Sequence, residues 1–363
     1  MIKKRKLKLT INFLVPIIML LNIITAKFPG IVERYYSNTI DKIILQWLSF
    51  ITSPFPSSFA EFLLPLLIII LIFFVLLLLF NIRKAGFLNR AINLAVYVSI
   101  LYILFMVLWG FNYNRYSFDK IAGLKVESSS EKELYNLCEE LIKKVNNLRA
   151  NVTEDSKGVM TIKGGFKDVF KREQKGFDVA SKIYPELGGI YGPPKRILLS
   201  EPMSYTGITG IYIPYTGEAN VNINETDFML PCTTAHEMAH QRGFAREDEA
   251  NYIAYVVCSM HPDVDFQYSG TMLALIYSMN ALADTNYNDF KELASKYSTG
   301  VIRDINNDNK HWEKYKGNTE KITNNVNNAY LKSNGQQDGI ASYGRMVDLL
   351  LAEYRSKKLV FNK

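Results

Sequence analysis

The sequence predicts an α+β protein in two parts. Three transmembrane helices fall within residues 1–111, and a mainly helical domain with a small β-sheet occupies residues 112–363. Three observations lead there. The first 111 residues hold three apolar stretches of membrane-crossing length. Beyond them apolar residues recur mostly at helical spacing, apart from a short Ile- and Tyr-rich region near 196–223. The helix after that region carries two of the chain's four histidines, His236 and His240, around Glu237.

Residues 9–26 follow the basic run Lys3, Lys4, Arg5, Lys6 and Lys8. They are an anchor rather than a cleaved leader, because two more spans follow, at 62–80 and 91–110. Arg83, Lys84 and Arg90 lie between the second and third spans. Positive residues stay inside, so that loop and the N-terminus are expected in the cytoplasm and everything after Phe111 on the outer side of the membrane. Tyr102, Trp109, Phe111 and Tyr113 suggest an aromatic belt at the far end of the third span. Between the first two spans, Ile40, Ile43, Ile44, Trp47, Leu48 and Ile51 repeat at helical spacing. That segment is either an interfacial helix or one packed on the outer domain. Pro54 and Pro56 end it.

The net charge of +7 gathers no basic patch with interleaved aromatics, so nucleic acid is excluded as a partner. Three cysteines are too few for a disulfide framework. In the outer domain Ser130 and Glu133 form a capping box before a helix with Leu134, Leu137, Leu141, Val145 and Leu148 on one face. Residues 151–165 are a loop. Strands are expected at 196–200, 208–214 and 219–223, and residues 208–223 are the candidate edge for pairing with an extended peptide. Further helices are expected at 246–260, 272–282 and 340–355.

The spacing of His236 and His240 puts both imidazoles on one helical face, and Glu237 beside them can hold a water on a shared ion. This is the HExxH pattern of zinc hydrolases, with Zn2+ as cofactor and Glu237 as general base. Catalytic zinc needs a third protein ligand. If Gly243 bends the chain into a helical hairpin, Glu247 faces His240 and Asn251 faces His236. Glu247 is then the third ligand and Asn251 a hydrogen-bonding support. Glu249 is the alternative ligand, but it points about 200° away around the helix. Tyr205, Tyr212, Tyr252, His261, His311 and Arg246 are the candidates to stabilise an oxyanion. Cys232 and Cys258 flank the hairpin and are a possible disulfide. Cys138 is expected to be a buried thiol.

The stretch 236–251 resembles the gluzincin metallopeptidases, in which HExxH is followed by a helix bearing ExxxD or ExxxN; here that second part is Glu247-Asp248-Glu249-Ala250-Asn251, after an unusually short interval. More closely, the chain resembles the domain-of-unknown-function 3810 family of bacterial membrane proteins. The matching residues are Trp109-Gly110-Phe111-Asn112-Tyr113, Tyr205-Thr206-Gly207-Ile208-Thr209-Gly210-Ile211-Tyr212, Thr216-Gly217-Glu218-Ala219-Asn220 and 236–251. The resemblance implies a membrane-bound zincin-like domain and supplies no substrate. The expected function is a membrane-anchored zinc metallopeptidase hydrolysing peptide bonds of peptide or protein substrates outside the cytoplasm, with the lipid bilayer as its other partner. Two other readings stand beside it. One is a zinc-binding sensor or regulatory membrane protein with little general protease activity. The other is a structural zinc domain, against which Glu237 counts.

Overall fold

This computed structural model describes residues 2–80, 82 and 86–356. Arg83 and Lys84 lie outside the described residues. Three helices, Lys6–Thr25, Ala60–Leu79 and Phe87–Leu108, are long and apolar enough to cross a membrane. The sequence limits differ from these by up to four residues, since each helix starts before its apolar run and ends one or two residues earlier than composition suggests.

The segment between the first two spans splits in two. Val32–Asp41 is π-helical and Lys42–Thr52 is α-helical. One face packs inward, with Leu45 fully buried beside Trp109, Tyr191 and Tyr212. The other stays exposed: Ile43 at 52%, Trp47 and Ile51 at 67% each. The helix therefore packs on the outer domain through one face and leaves an apolar face exposed. The π-helical turn carries a buried polar knot. Asn112 Nδ2 donates to Asp41 Oδ2 at 2.7 Å, and Ser37 donates to Asn112 Oδ1 at 2.7 Å. Arg115, 2% exposed, grips the Glu33 carboxylate through Nη2 at 2.6 Å and Nε at 2.9 Å. Its third arm donates to the Arg242 carbonyl at 3.3 Å, and its guanidinium lies 3.9 Å over the Phe244 ring.

Arg115 thus joins the segment after the first span to the turn that follows the two histidines. Arg115→Ala would leave the buried Glu33 carboxylate without a cation, with only the Asn38 amide donating to it, at a cost of about 3–5 kcal/mol. The expected result is a lower midpoint of thermal unfolding in detergent. Replacing both partners by Met should recover most of the loss, since the pair's own net contribution is small. An Arg115→Ala variant as stable as the parent would show that the pair does not brace this turn.

The aromatic belt expected at the end of the third span is instead partly core. Trp109 and Tyr113 are 5% and 9% exposed, because the chain turns back after Leu108 and tucks them under the outer helices. The helix Glu131–Arg149 starts with the capping box: Ser130 Oγ accepts from the Glu133 amide and the Glu133 carboxylate accepts from the Ser130 amide. Its apolar face packs on the long helix Val264–Thr285.

Three strands form one sheet: β1 (Lys195–Arg196), β2 (Gly210–Ile213) and β3 (Glu218–Val221). Their order is β1-β3-β2, with β3 antiparallel to β2 and parallel to β1. The strand expected over 196–200 shrinks to two residues. The amides of Leu198 and Leu199 turn away to the Glu61 carboxylate at 2.7 and 2.9 Å, and Ser200 opens a short helix. The middle position of β3 leaves β2 at an edge.

Helices Leu230–Gln241, Glu247–Ser259 and Val264–Thr285 pack into the main core with Glu131–Arg149 and Met346–Ser356. Cys138, Cys232 and Cys258 are all buried and free. The Cys232–Cys258 disulfide is not formed: Cys232 Sγ donates to the Met229 carbonyl at 3.0 Å, whereas Cys258 faces Glu173 and packs against Gly270.

Candidate functional site

The helix Leu230–Gln241 takes Pro231 in its first turn, where a missing N–H costs nothing. Its end is set by Gly243, at φ +80°. The Phe244 amide donates to the Ala239 carbonyl and the Gly243 amide to that of His240, the paired bonds of a Schellman cap. A side chain at Gly243 would be strained by that backbone and would crowd Asn112 and Asp41 at 3.3 Å. Arg242, wholly buried between Phe177 and Tyr191, donates to the carbonyls of Leu187 and Met238 and locks the helix end. The chain then reverses into Glu247–Ser259.

The reversal brings His236, His240 and Glu247 together, with ligand-type atoms all within 4.8 Å of one another. Glu247 Oε2 lies 3.1 Å from His236 Nε2 and 3.3 Å from His240 Nε2. The outer ring nitrogens are anchored. His236 Nδ1 meets Asn251 Oδ1 at 2.8 Å, and His240 Nδ1 meets the Phe244 carbonyl at 2.7 Å. Asn251 offers its oxygen because its amide donates to Tyr277 at 3.2 Å. With each Nδ1 donating to an acceptor, both Nε2 atoms face the carboxylate, an arrangement that needs a cation or a proton between them. Trp109 sets its edge against the His240 ring at 5.5 Å and donates to the Tyr330 hydroxyl at 3.1 Å.

The electrostatics follow from that crowding. Burial opposes charge on Glu247, but His240 and His236 beside it pull its carboxyl well below the usual range. Burial opposes charge on His240 too, and Glu247 reverses this, raising it to about 9. Burial pushes Glu237 up to about 7, against the pull of His236 and His240. Glu237 is 4% exposed, and its Oε2 has no hydrogen-bond partner.

Glu249 faces elsewhere: its Oε1 accepts from the Phe118 amide at 3.1 Å and from Arg246 at 2.7 Å. The side chains suggested for an oxyanion are scattered. Tyr212 lines the same cavity as the histidines. Arg246 is committed to Glu249 and to the Tyr113 carbonyl. Tyr252 is core, His261 stacks on Phe266 at 3.8 Å, His311 binds the Asn224 carbonyl at 2.9 Å, and Tyr205 sits edge-on to Tyr315.

The cavity, about 880 Å³, also contains residues that sequence reasoning passed over. Tyr277, Tyr330 and Tyr343 line it, each with its phenol pushed up first by burial and further by the Glu247 charge. Glu225 lies beside Glu237 with one oxygen unpartnered, and burial holds its carboxyl well above the ordinary range. No local signal marks these: Tyr330 comes from a polar, Asn-rich tract, and Tyr343 from the start of a closing helix whose apolar residues read as core packing. The strand β2 also lines the cavity. A Cβ built at Gly210 would fall 2.7 Å from the Glu237 carboxyl carbon, so a larger residue there must displace the carboxylate or the strand.

No curated protein and no solved structure matches the chain. A family model described as a protein of unknown function (DUF3810) matches residues 36–351, from the π-helical turn through to the last helix. That span covers most of the sequence and contains the whole of the cavity, so the chain belongs to the DUF3810 family.

Proposed function

We propose that this protein is a membrane-anchored, zinc-dependent peptidase with a zincin-like domain on the extracytoplasmic side. The observation that carries the reading is the convergence of His236, His240 and Glu247 within 4.8 Å, beside a buried Glu237 whose Oε2 is unpartnered. The donor set fits zinc: two neutral imidazoles and one carboxylate are a catalytic zinc set, and both imidazoles have partners on Nδ1 that fix the nitrogen offered to the ion. His236, His240 and Glu247 would hold the metal, with Asn251 orienting His236. When bound, zinc supplies a water of lowered pKa and an electrophile for a carbonyl.

The chain's own residues supply the rest. Glu237 takes a proton from the attacking water and returns it to the leaving nitrogen. A buried carboxyl near neutrality suits both transfers. The edge strand β2 offers backbone groups to an extended peptide, and Gly210 holds that strand against Glu237. The cavity phenols of Tyr277, Tyr330 and Tyr343 are the donors available to a developing oxyanion. The basic N-terminal run and Arg90 support the outward side for the site.

The test is metal content. Full-length protein purified in detergent should carry about one zinc per chain. His236→Ala and Glu247→Ala should each bring it close to background while circular dichroism shows the fold retained. Wild-type protein that takes up no zinc, with both histidines intact, overturns the reading.

A further inference from the structure

The cavity is walled partly by the membrane helices themselves. Leu64, in the second turn of the second span, and Phe105, in the last turn of the third, both line it. Along a helix these positions lie about 5–6 Å inside the ends of their spans. The strand β2 runs the same way. It starts at Gly210, against Glu237, and two residues past its end the Tyr215 hydroxyl donates to the Leu101 carbonyl at 3.1 Å. Leu101 is seven residues inside the third span, about 10 Å from its end. The edge strand therefore descends from the candidate base toward the bilayer.

The surface around that descent is apolar. Leu198 and Leu199 are 50% and 62% exposed, and their amides are held by Glu61 in the first turn of the second span. Trp47 and Ile51 are exposed on the segment that joins the first two spans. An apolar rim at the point where the chain enters a bilayer is covered by lipid.

We propose that the substrates are proteins anchored in the same membrane, cut in the extended segment that flanks their anchor. This rests on the hydrolase reading above and on the three helices spanning a bilayer. A peptide lying along β2 has one end at Glu237 and the other at the level of Phe105 and Leu101. Four strand residues cover about 13 Å, so the scissile bond lies within about ten residues of the anchor. A soluble globular protein presents no extended segment at that depth.

The experiment compares new amino termini in membranes from a bacterial host producing full-length wild type or Glu237→Gln. Termini that depend on Glu237 should cluster within about ten residues of hydrophobic anchors. Glu237-dependent cuts spread through soluble proteins or long loops overturn the proposal and leave the hydrolase reading standing. No Glu237-dependent cut at all overturns the hydrolase reading and this proposal with it. A second measurement does not need turnover. Ile211→Cys, carrying a small fluorophore in nanodiscs, should be strongly quenched by a nitroxide placed at the headgroup end of the lipid chain. Absence of quenching shows that the cavity mouth stands clear of the bilayer and overturns the proposal. Quenching without any cleavage identifies a lipid-filled cavity and overturns it as well.

Discussion

Glu237→Gln is expected to retain its zinc and to lose about 10²- to 10⁴-fold in kcat, the range attributable to a positioned base. The amide keeps the shape of the carboxylate but accepts no proton. Because the three metal-facing side chains are untouched, zinc content should remain at the wild-type level. Stability separates this from misfolding. Glu237 is an acid whose folded-state pKa lies near 7, above its ordinary value, so the metal-free fold loses stability as pH rises from about 4.5 through 7. A neutral Gln removes that loss. At pH 8 the metal-free variant should melt no lower than the metal-free parent. Rates on any peptide cleaved by the wild type, together with metal analysis and melting curves, check all three points. Full activity in Glu237→Gln would remove the base from the proposed mechanism.

Gly210→Ala should be nearly as damaging, although Gly210 carries no chemistry. Its φ lies outside the left-handed region, so the backbone accepts alanine there. The added methyl meets the Glu237 side chain, at 2.6 Å from Cγ and 2.7 Å from the carboxyl carbon. Either the carboxylate moves or β2 lifts away, and a displacement of about 1 Å at the reacting groups costs about 10²-fold in rate. Zinc content should not change. The double variant Gly210→Ala, Glu237→Gln should be no slower than Glu237→Gln alone, because both remove one function. Steady-state rates on the same peptide test this. A wild-type rate in Gly210→Ala would show that the strand and the carboxylate are not in register as drawn.

Counting residues recovers much of this site because helices impose strict periods. His236 and His240 share a face on any helix that contains them. Once Gly243 is taken as the bend, Glu247 and Asn251 must return along the same face. Glu249 is separated from them by the same rule, and its bonds to Arg246 and Phe118 show it turned away. The capping box at Ser130 and Glu133 was legible for a similar reason, since its partners lie three residues apart.

Long-range contacts leave no such trace. Trp109 looks like a residue of the membrane interface, yet it ends against His240 because the chain doubles back after Leu108. The apolar residues of Lys42–Thr52 recur at helical spacing, yet nothing in their order says that Ile43, Trp47 and Ile51 of that stripe stay out while Leu45 beside it goes inward. The stretch 196–200 has strand-like composition, but Glu61, more than a hundred residues earlier, takes two of its amides. Cys232 and Cys258 flank the hairpin in sequence, and their side chains leave in different directions.

By itself the sequence determined the three membrane-length helices, the mainly helical character of the rest and the facing of Glu247 on two imidazoles. Each of these follows from composition or from spacing within about fifteen residues. Only the tertiary structure decided that the cavity is shared with the membrane helices, that Gly210 abuts Glu237 and that Tyr330 and Tyr343 line the same cavity. Those contacts join residues up to hundreds of positions apart, and the packing that selects them depends on the shape of the whole core, which no local pattern records.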